Sequence, residues 1–420
     1  MSTSTRDGRV AVTRSALALA ACWAVTRAVL VGIVFTIGVE AWREVTYYQR
    51  WHDVLSSGTF PVDDVTWQYP PGAALVMLLP KLLPFAGYVP AFVACVVAVD
   101  AVVAWALARA VLTTGGPTAA PWLWVLGIPA LLTTPFTRYD VIVTGVVVLG
   151  LLALRGRPRL AGVLAGLGAS VKVWPAVVLL GARWRSWWWA LATAVGLCAV
   201  LALTSHNAFG FLSAQSNRGL EIESVGGSVL MAAALFGYPA QVEYRYGSFE
   251  VLGPLVPQIA TGCVVASAVA ALWIGVWRLR TRSVGPVVAA DAALTAVLLF
   301  VVTSRVISPQ YVIWLVGLGA VCLVSRQTTQ RPVVALIAVM VPLTSLEFPL
   351  LFNELLKGSA PAVVAVLVRN AVLLVAAVWS AVLLHRGYRR RAAEPVAVLP
   401  PPREEPAEAE QEPSERSAGR

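Results

Sequence analysis

The chain has 420 residues, of which 58% are hydrophobic and 13% are charged, and its mean hydropathy is +0.75. Soluble domains carry about 25% charged residues, so this composition excludes an ordinary soluble protein. The net charge of +10 comes from short basic clusters between apolar runs, which is typical of membrane orientation and unlike a nucleic-acid-binding face. The 5 cysteines lie inside apolar runs without metal-ligand spacing, so we interpret them as core or lipid-facing residues.

The apolar runs predict an all-α polytopic membrane protein, because a helix that crosses the hydrocarbon needs ~20 apolar residues, or about 17 at the short end. The first run is too long for the core of a signal peptide, so we expect it to remain as a transmembrane helix. In chain order, the predicted spans are 15–39, 88–111, 118–136, 141–154, 186–204, 251–278, 286–303, 308–325, 332–352 and 361–385.

Residues 158–183 are less regular, because Lys172 and Pro175 interrupt the apolar run. The run forms either one span or two short helices that meet at 169–172. Arginine-rich loops favour the cytoplasm, and all of them lie on one side only if this run enters the membrane and returns. The same condition keeps 70–84, which contains several prolines and a lysine, at the outer surface as an interfacial helix.

These constraints give about twelve crossings with both termini in the cytoplasm, as expected of a multi-pass protein of the plasma membrane. The predicted parts are a cytoplasmic N-terminus at 1–14, a transmembrane domain at 15–385 and a disordered cytoplasmic tail at 386–420. The long outer loops are 40–87 and 205–250, and both contain segments able to form short surface helices. No internal repeat is evident in the sequence, which disfavours secondary transporters built from two related halves.

With this topology, several cations gather at the outer membrane boundary, namely Arg138, Lys172, Arg218 and Arg305. Arginine forks onto phosphate oxygens and lysine acts as a point charge, so these residues suit an anionic lipid head group. Two of them have simpler interpretations, since Arg138 can pair with Asp140 at a helix end and Arg305 can snorkel to the boundary. Lys172 differs, because an ammonium group deep in an apolar run is costly unless it is paired.

Two carboxylates on the same face, Glu44 and Asp64, are close in sequence to aromatic residues that can stack on sugar rings. A carboxylate that accepts a hydroxyl proton while a phosphate leaves acts as a general base, and fixed cations stabilise the departing phosphate. Asp53 and Asp63 are better explained as solvated charges. The chain has no P-loop, GxGxxG, HExxH or GxSxG motif, so nucleotide-binding, zinc-protease and serine-hydrolase functions have no support.

Five short segments carry a family resemblance through their order and spacing: 44–51 (EVTYYQRW), 68–74 (QYPPGAA), 138–140 (RYD), 172–175 (KVWP) and 308–311 (SPQY). They resemble the integral-membrane glycosyltransferases of family 87. This family belongs to the C-type glycosyltransferase superfamily and includes the actinobacterial polyprenyl-phosphate-mannose-dependent mannosyltransferases. The resemblance covers about 15–385 and implies the C-type glycosyltransferase fold, with interfacial helices in the first outer loop.

The resemblance also implies an activity. Such enzymes transfer a hexose, with mannose as the leading case, from a polyprenyl phosphate donor to a lipid-linked or glycan acceptor on the outer face of the plasma membrane. The expected partners are therefore the sugar-bearing lipid, the acceptor and the bilayer, and not a nucleic acid. No cofactor is expected, although the adjacent Asp63 and Asp64 leave a divalent metal ion open, as a thin site of two carboxylates.

The family's catalytic carboxylate is an aspartate followed four positions later by a tyrosine, and the matching residues here are Glu44 and Tyr48. The extra methylene of glutamate displaces its oxygen by more than a positioned catalyst tolerates. Either the site is re-spaced, or Asp64 has taken the role, or this member is weakly active. We therefore rank Glu44 first and Asp64 second as the catalytic base.

The roles of the remaining site residues are hypotheses that combine their predicted place on the outer face with this resemblance. Lys172, Arg218 and Arg305 are expected to bind the donor phosphate. A second group is expected to bind or support the substrates: Tyr48, Trp67, Tyr69, Arg138, Asp140, Glu221, Glu223 and Gln310. In this group Arg138 and Asp140 brace the site, Trp67 and Tyr69 shape the interfacial helix beside the donor's sugar, and the two glutamates orient sugar hydroxyls.

The main alternative function is a transporter or flippase for a polyprenyl-linked sugar, which binds the same phosphate without chemistry. Asp100 and Asp291 lie inside apolar runs and favour this alternative. Most other buried charges, apart from Arg27 and Arg369, cluster towards one face, which favours an enzyme. A third alternative is an inactive scaffold of a cell-envelope assembly complex, which the glutamate at position 44 keeps open.

Overall fold

The computed structural model describes the backbone of 3–37, 39–212, 218–281 and 284–393, and the side chains of 15–37, 42–212, 218–281 and 284–387. The predicted tail beyond residue 393 lies outside the described residues. Helices dominate the fold. They are α1 (Thr3–Ile37), α2 (Val39–Ser56), α3 (Ala73–Leu78), α4 (Tyr88–Thr114), α5 (Ala119–Gly127), α6 (Thr134–Thr137), α7 (Asp140–Ala153), α8 (Pro158–Val171), α9 (Trp184–Thr204), α10 (Val225–Ala234), α11 (Val256–Arg280), α12 (Pro286–Thr303), α13 (Tyr311–Leu323), α14 (Arg331–Ser345), α15 (Phe352–Leu356) and α16 (Ala360–Ala393).

Several helices are long and apolar enough to cross a membrane, which confirms the predicted class of helical membrane protein. Among the described residues there are 7 such spans: Ser15–Ile37, Tyr88–Thr114, Trp184–Thr204, Val256–Arg280, Pro286–Thr303, Arg331–Leu350 and Ala360–Gly387. The last-but-one of these includes a π-helical turn after α14. Shorter apolar helices lie between them: Ala73–Leu82, Ala119–Leu131, Asp140–Ala153, Pro158–Val171, Val225–Ala234 and Tyr311–Leu323.

The irregular run at 158–183 forms two short helices and not one continuous span, which was one of the two alternatives left open by the sequence. Helix α8 ends at Val171, Lys172 is extended with φ −146° and ψ 144°, and the chain continues as the 3-10 helix Trp174–Gly181. Pro175 favours this break, because in a continuous helix its ring would clash with the carbonyl group of Val171, four residues earlier, and it has no N–H to bond to that group. The 3-10 helix packs back against α8, so the junction at Lys172 is the tip of a helical hairpin.

Glycines hold this hairpin tightly against its neighbours. A Cβ atom on Gly72 would lie 2.6 Å from the main chain of Ser170, so the start of α3 lies directly on the end of α8. On the other side, a Cβ atom on Gly162 or Gly166 would overlap main-chain carbonyl groups of α9. Such close approach between helices is the usual role of small residues in membranes. The short helix expected at 70–84 is therefore confirmed as α3 and the 3-10 turn Leu79–Leu82, packed beside the hairpin tip.

A small antiparallel sheet, which the sequence analysis did not predict, lies in the loop at 205–250. Its strands are β1 (Leu220–Glu221), β2 (Gln241–Arg245) and β3 (Ser248–Leu252), in the order β1-β3-β2. The β2–β3 hairpin turns through Tyr246 and Gly247, which both have positive φ (50° and 80°). A two-residue turn with positive φ at both positions matches the right-handed twist of the strands. The loop's expected surface helix is α10, which follows β1.

Candidate active site

An aromatic cluster between the loop at 40–87 and Tyr139 anchors the predicted polar residues. The rings of Tyr48 and Tyr69 each meet the ring of Tyr139 edge-on, with centroids 5.6 and 5.5 Å apart. Trp67, which was expected beside the donor's sugar, is only 2% exposed and packs edge-on against Trp51 at 5.2 Å. Trp67 is thus a core residue, whereas Tyr69 is half-buried and lies nearer the surface.

Glu44 on α2 forms an ion pair with Arg138, with Oε2 and Nη1 2.5 Å apart. Arg138 follows α6 in extended conformation, with φ −129° and ψ 149°, and the burial of Tyr139 fixes its direction. The Arg138 side chain is 15% exposed and the Glu44 side chain 33%. Arginine therefore orients this carboxylate while leaving it open to a hydroxyl group.

Asp140, the first residue of α7, is buried and paired with the hairpin tip. Its Oδ1 atom accepts hydrogen bonds from Lys172 Nζ at 2.6 Å and from Trp314 Nε1 at 2.7 Å. The ammonium group also lies 4.5 Å from the ring centroid of Tyr139 and 5.2 Å from that of Trp314, within cation–π range. Asp140 is therefore not the partner of Arg138, and Lys172 has the anion that a buried ammonium group requires. The sequence analysis did not identify Trp314, which stands in an apolar run.

Arg218 and Arg305 are neighbours beside the sheet. Arg218 Nη2 donates to the carbonyl oxygen of Tyr246 at 3.3 Å and to Ser248 Oγ at 2.9 Å, and its Nε is buried without a partner. Arg305 Nη1 donates to the Arg218 carbonyl oxygen at 2.8 Å. Neither guanidinium group forms an ion pair with any residue that the structure describes. The hydrogen-bond partners of both guanidinium groups are thus neutral, and we call these two residues the arginine pair.

Glu221 in β1 lies next to the arginine pair, because its N–H donates to the Arg305 carbonyl oxygen at 3.0 Å. Ser308 Oγ approaches Glu221 Oε1 at 3.4 Å, while Oε2 of Glu221 and Oε1 of Gln310 are buried without partners. Burial raises the pKa of the Glu221 carboxyl to about 7, although Arg218 acts against this shift. Both unpartnered oxygens can accept hydrogen bonds from the hydroxyl groups of a ligand.

These contacts connect most of the predicted site residues into one polar seam. The two ion pairs are adjacent, since only Tyr139 separates Arg138 from Asp140. Trp314, bonded to Asp140, stacks on Tyr311 with ring centroids 4.0 Å apart. The polar seam consists of Glu44, Arg138, Asp140, Lys172, Trp314, Tyr311, Gln310, Ser308, Glu221, Arg305 and Arg218.

Asp64, the second candidate base, does not join the polar seam. Its Oδ2 atom accepts from Trp51 Nε1 at 2.9 Å, and its Oδ1 atom accepts from the Thr66 N–H at 2.9 Å and from the Thr66 hydroxyl at 2.5 Å. Partial burial raises the pKa of the Asp64 carboxyl, but these hydrogen bonds outweigh it and lower the pKa. Its contacts are those of a residue that closes a loop. Within the described ranges, no group of three His, Cys, Asp or Glu side chains is arranged to hold a metal ion.

A second charged cluster lies behind the polar seam, and the sequence analysis missed it. Arg369 on α16 pairs with Glu347 at 2.8 Å, and both side chains are 1% exposed. Arg369 Nη2 donates to the Glu223 carbonyl oxygen at 3.1 Å, and Asn370 Nδ2 donates to the same oxygen at 3.2 Å. Glu223, expected to orient sugar hydroxyls, is therefore buried in this cluster. The available signal was the presence of ionisable residues inside two predicted spans, since such residues need partners.

The two aspartates that favoured a transporter are fully engaged elsewhere. Asp100 forms a two-pronged ion pair with Arg27, at 2.8 and 2.9 Å, and also accepts from Trp23. Asp291 accepts from the Thr328 hydroxyl at 2.5 Å and from the Thr329 N–H and hydroxyl at 3.0 Å each. Each carboxylate therefore serves to connect helices or loops, as buried charges usually must.

Comparison with known proteins bears on most of the polar seam. The family model described as glycosyltransferase family 87 matches residues 67–309, which is more than half of the chain. A search of curated proteins gives no match. The matched segment contains Lys172, Arg218 and Arg305, whereas Glu44 precedes it. The chain belongs to glycosyltransferase family 87 and is a membrane glycosyltransferase.

Proposed function

We propose that this glycosyltransferase moves a hexose, mannose, from a polyprenyl phosphate donor to a lipid-linked or glycan acceptor at the outer face of the plasma membrane. The observation that carries the proposal is the arginine pair, whose positive charges have no ion-pair partner among the described residues. A phosphate is bound best by fixed cations that are not already neutralised. The polar seam connects this pair to Glu44, the carboxylate that a hydroxyl group can reach.

The residues of the polar seam then have distinct roles. Glu44 accepts the proton of the acceptor hydroxyl while the oxygen of that hydroxyl bonds to the anomeric carbon of the sugar. The bond between the anomeric carbon and the phosphate oxygen breaks at the same time. Arg138 holds the Glu44 carboxylate in place. The arginine pair binds the donor phosphate and stabilises the charge that the leaving polyprenyl phosphate acquires. Lys172 adds a cation at the hairpin tip, fixed by Asp140.

We further propose about twelve crossings, with the polar seam on the outer side, opposite the arginine-rich loops. The long spans account for 7 of these. The others are the shorter segments Ala119–Leu131, Asp140–Ala153, Pro158–Val171, Trp174–Gly181 and Tyr311–Leu323. Helices α3 and α10 then lie at the membrane surface.

Incubation of the purified protein with radiolabelled polyprenyl phosphate mannose and a lipid extract tests the function. We expect label to appear in an acceptor while polyprenyl phosphate is released. A flippase would move the donor across a vesicle membrane without releasing polyprenyl phosphate, and a scaffold would do neither. If the protein instead turns over a pentose donor, such as polyprenyl phosphate arabinofuranose, the proposed phosphate site stands but mannose is not the sugar.

Glu44→Gln tests the assigned base. The variant should fold and insert normally but lose transfer by at least ~100-fold, the usual lower contribution of a general base. Asp53→Asn is a matched control on the same helix, because the Asp53 side chain is 71% exposed and pairs only with His52, so its transfer rate should match the wild type. Transfer that survives Glu44→Gln and is abolished by Asp64→Asn would make Asp64 the base.

A further inference from the structure

The cluster behind the polar seam contains more acid than base. Arg369 Nη2 pairs with Glu347 Oε2 at 2.8 Å and also donates to the Glu223 carbonyl oxygen at 3.1 Å, so one cation serves both acidic residues. Oε1 of Glu223 and both carboxyl oxygens of Glu347 are buried without a hydrogen-bond donor among the described residues, and the two carboxyl groups are close enough to interact. All three side chains are at most 4% exposed. Two buried carboxylates beside one guanidinium group would leave an uncompensated negative charge, which is costly in a medium that excludes water.

We infer that Glu223 and Glu347 share one proton, and that this acid pair is a positioning device for the arginine pair of the polar seam. One retained proton makes the cluster electrically neutral and converts a repulsive contact between two anions into a hydrogen bond. The inference rests on the proposed function, since it takes the arginine pair to be the site of the donor phosphate.

The surroundings of Glu223 agree with a retained proton. Burial and the adjacent Glu347 carboxylate hold the pKa of the Glu223 carboxyl well above its ordinary value. The charged groups that face it are Glu347 from the π-helical turn after α14, Glu221 from β1 and Arg369 from α16. Glu221 adds negative charge and Arg369 opposes it, so the balance still favours protonation.

A short path of main-chain contacts connects the acid pair to the arginine pair. Arg369 and Asn370 hold the Glu223 carbonyl oxygen, and Asn370 Nδ2 also approaches the Ser224 carbonyl oxygen at 3.3 Å. Two residues before Glu223, the Glu221 N–H bonds to the Arg305 carbonyl oxygen at 3.0 Å. Arg305 in turn bonds to the Arg218 carbonyl oxygen. Release of the Glu223 side chain would therefore displace the main chain that carries both arginines.

The consequence is a donor affinity that depends on one buried proton. At a pH where the acid pair keeps its proton, Glu223 stays bound to Glu347 and to α16, and the arginine pair is correctly placed. When the pH rises far enough to remove the proton, the two carboxylates repel each other and the contact between Glu223 and Glu347 weakens. We expect the KM for the donor to rise by about tenfold on the alkaline side, with a much smaller change in kcat, since one hydrogen bond to a charged group is lost.

The test compares donor KM and kcat across pH for the wild type, Glu347→Gln and Glu347→Ala. An amide donates to the Glu223 carboxylate without titrating, so Glu347→Gln should keep a low KM and lose the alkaline rise. Alanine offers no partner, so Glu347→Ala should raise KM at every pH. Glu354→Gln is the control, because Glu354 is an exposed residue of α15 paired with Lys357, and its profile should follow the wild type. An unchanged alkaline rise in Glu347→Gln, or a wild-type KM in Glu347→Ala, would overturn the inference.

Infrared spectroscopy provides a second measurement that needs no substrate. The difference spectrum at neutral pH between Glu221→Gln and the double variant Glu221→Gln/Glu223→Gln should show the carbonyl band of a protonated buried carboxyl, because only the former keeps the acid pair. Absence of that band means that no proton is shared and sinks the inference whether or not the variants fold. Failure to turn over the polyprenyl phosphate donor would instead refute the proposed function, and the infrared result would still decide the shared proton.

Discussion

The ion pair between Asp140 and Lys172 allows a quantitative test of how the polar seam is held. The Asp140 side chain is 1% exposed and that of Lys172 is 15% exposed. Breaking a buried ion pair by removing one partner costs about 3–5 kcal/mol, because the remaining charge stays buried. Since Lys172 has some contact with the surface, we expect Asp140→Asn to destabilise the protein by about 3 kcal/mol, at the lower end of that range.

A double-mutant cycle separates the pair from its surroundings. Lys172→Met keeps the volume of the side chain and leaves the Asp140 carboxylate with only the Trp314 N–H, so it should also cost about 3 kcal/mol. The double variant buries no charge and should cost about as much as either single variant, which gives a coupling free energy of about 2–3 kcal/mol. Reversible denaturation in mixed micelles measures all four proteins. A coupling below about 0.5 kcal/mol would mean that the two charges are solvated and the reasoning is wrong.

The double variant also distinguishes two roles of Lys172. If the lysine only braces the hairpin tip, the folded double variant should have the same donor KM as Asp140→Asn. If the ammonium group helps to bind the donor phosphate, the folded double variant should have a higher donor KM than Asp140→Asn.

Three further outcomes are expected. Gly72→Ala should destabilise the protein by about 1–3 kcal/mol and lower its melting temperature, because the added methyl group would collide with α8. Gly32→Ala is the control, since Gly32 has open space around it, and its melting temperature should be unchanged or slightly raised. Arg218→Gln should raise the donor KM about 10- to 100-fold through loss of a charged hydrogen bond, and Arg245→Gln in the same sheet, where Arg245 pairs with Glu243 on the surface, should not. Because the Glu221 carboxyl has a pKa of about 7 in the folded protein against an ordinary 4.5, stability should be greatest below pH 4.5 and fall as pH rises to about 7. Chemical denaturation should detect a smaller fall in Glu221→Gln, which retains the contribution of the acid pair.

The helical class and the break at Lys172 were predictable because they depend on local properties of the chain. Apolar run length determines which segments can cross a membrane, and a lysine followed by a proline inside such a run indicates an interruption. The prolines of 70–84 likewise predicted a short helix, which the structure shows as α3.

The partners of the charged residues were not predictable, because they depend on how distant segments pack. Arg138 and Asp140 are two positions apart and looked like one ion pair, yet the burial of Tyr139 between them directs Arg138 to Glu44 and Asp140 to Lys172. Glu347 could be assigned only after Glu223 was known to lie against α16. The sheet was equally hidden, since β1 has 2 residues and pairs with a strand about thirty positions later.

The helical hairpin that ends at Lys172 also bears on how the chain enters the membrane during synthesis. Its tip has one ammonium group and no hydrophilic loop. In the proposed topology, both arms can therefore enter together from the side of the arginine-rich loops without translocating a polar segment. The neutralising carboxylate, 32 positions earlier, has already been synthesised when the lysine leaves the ribosome. The lysine charge that would oppose insertion can therefore be neutralised by Asp140 of α7, before the helix that supplies Trp314 has been synthesised.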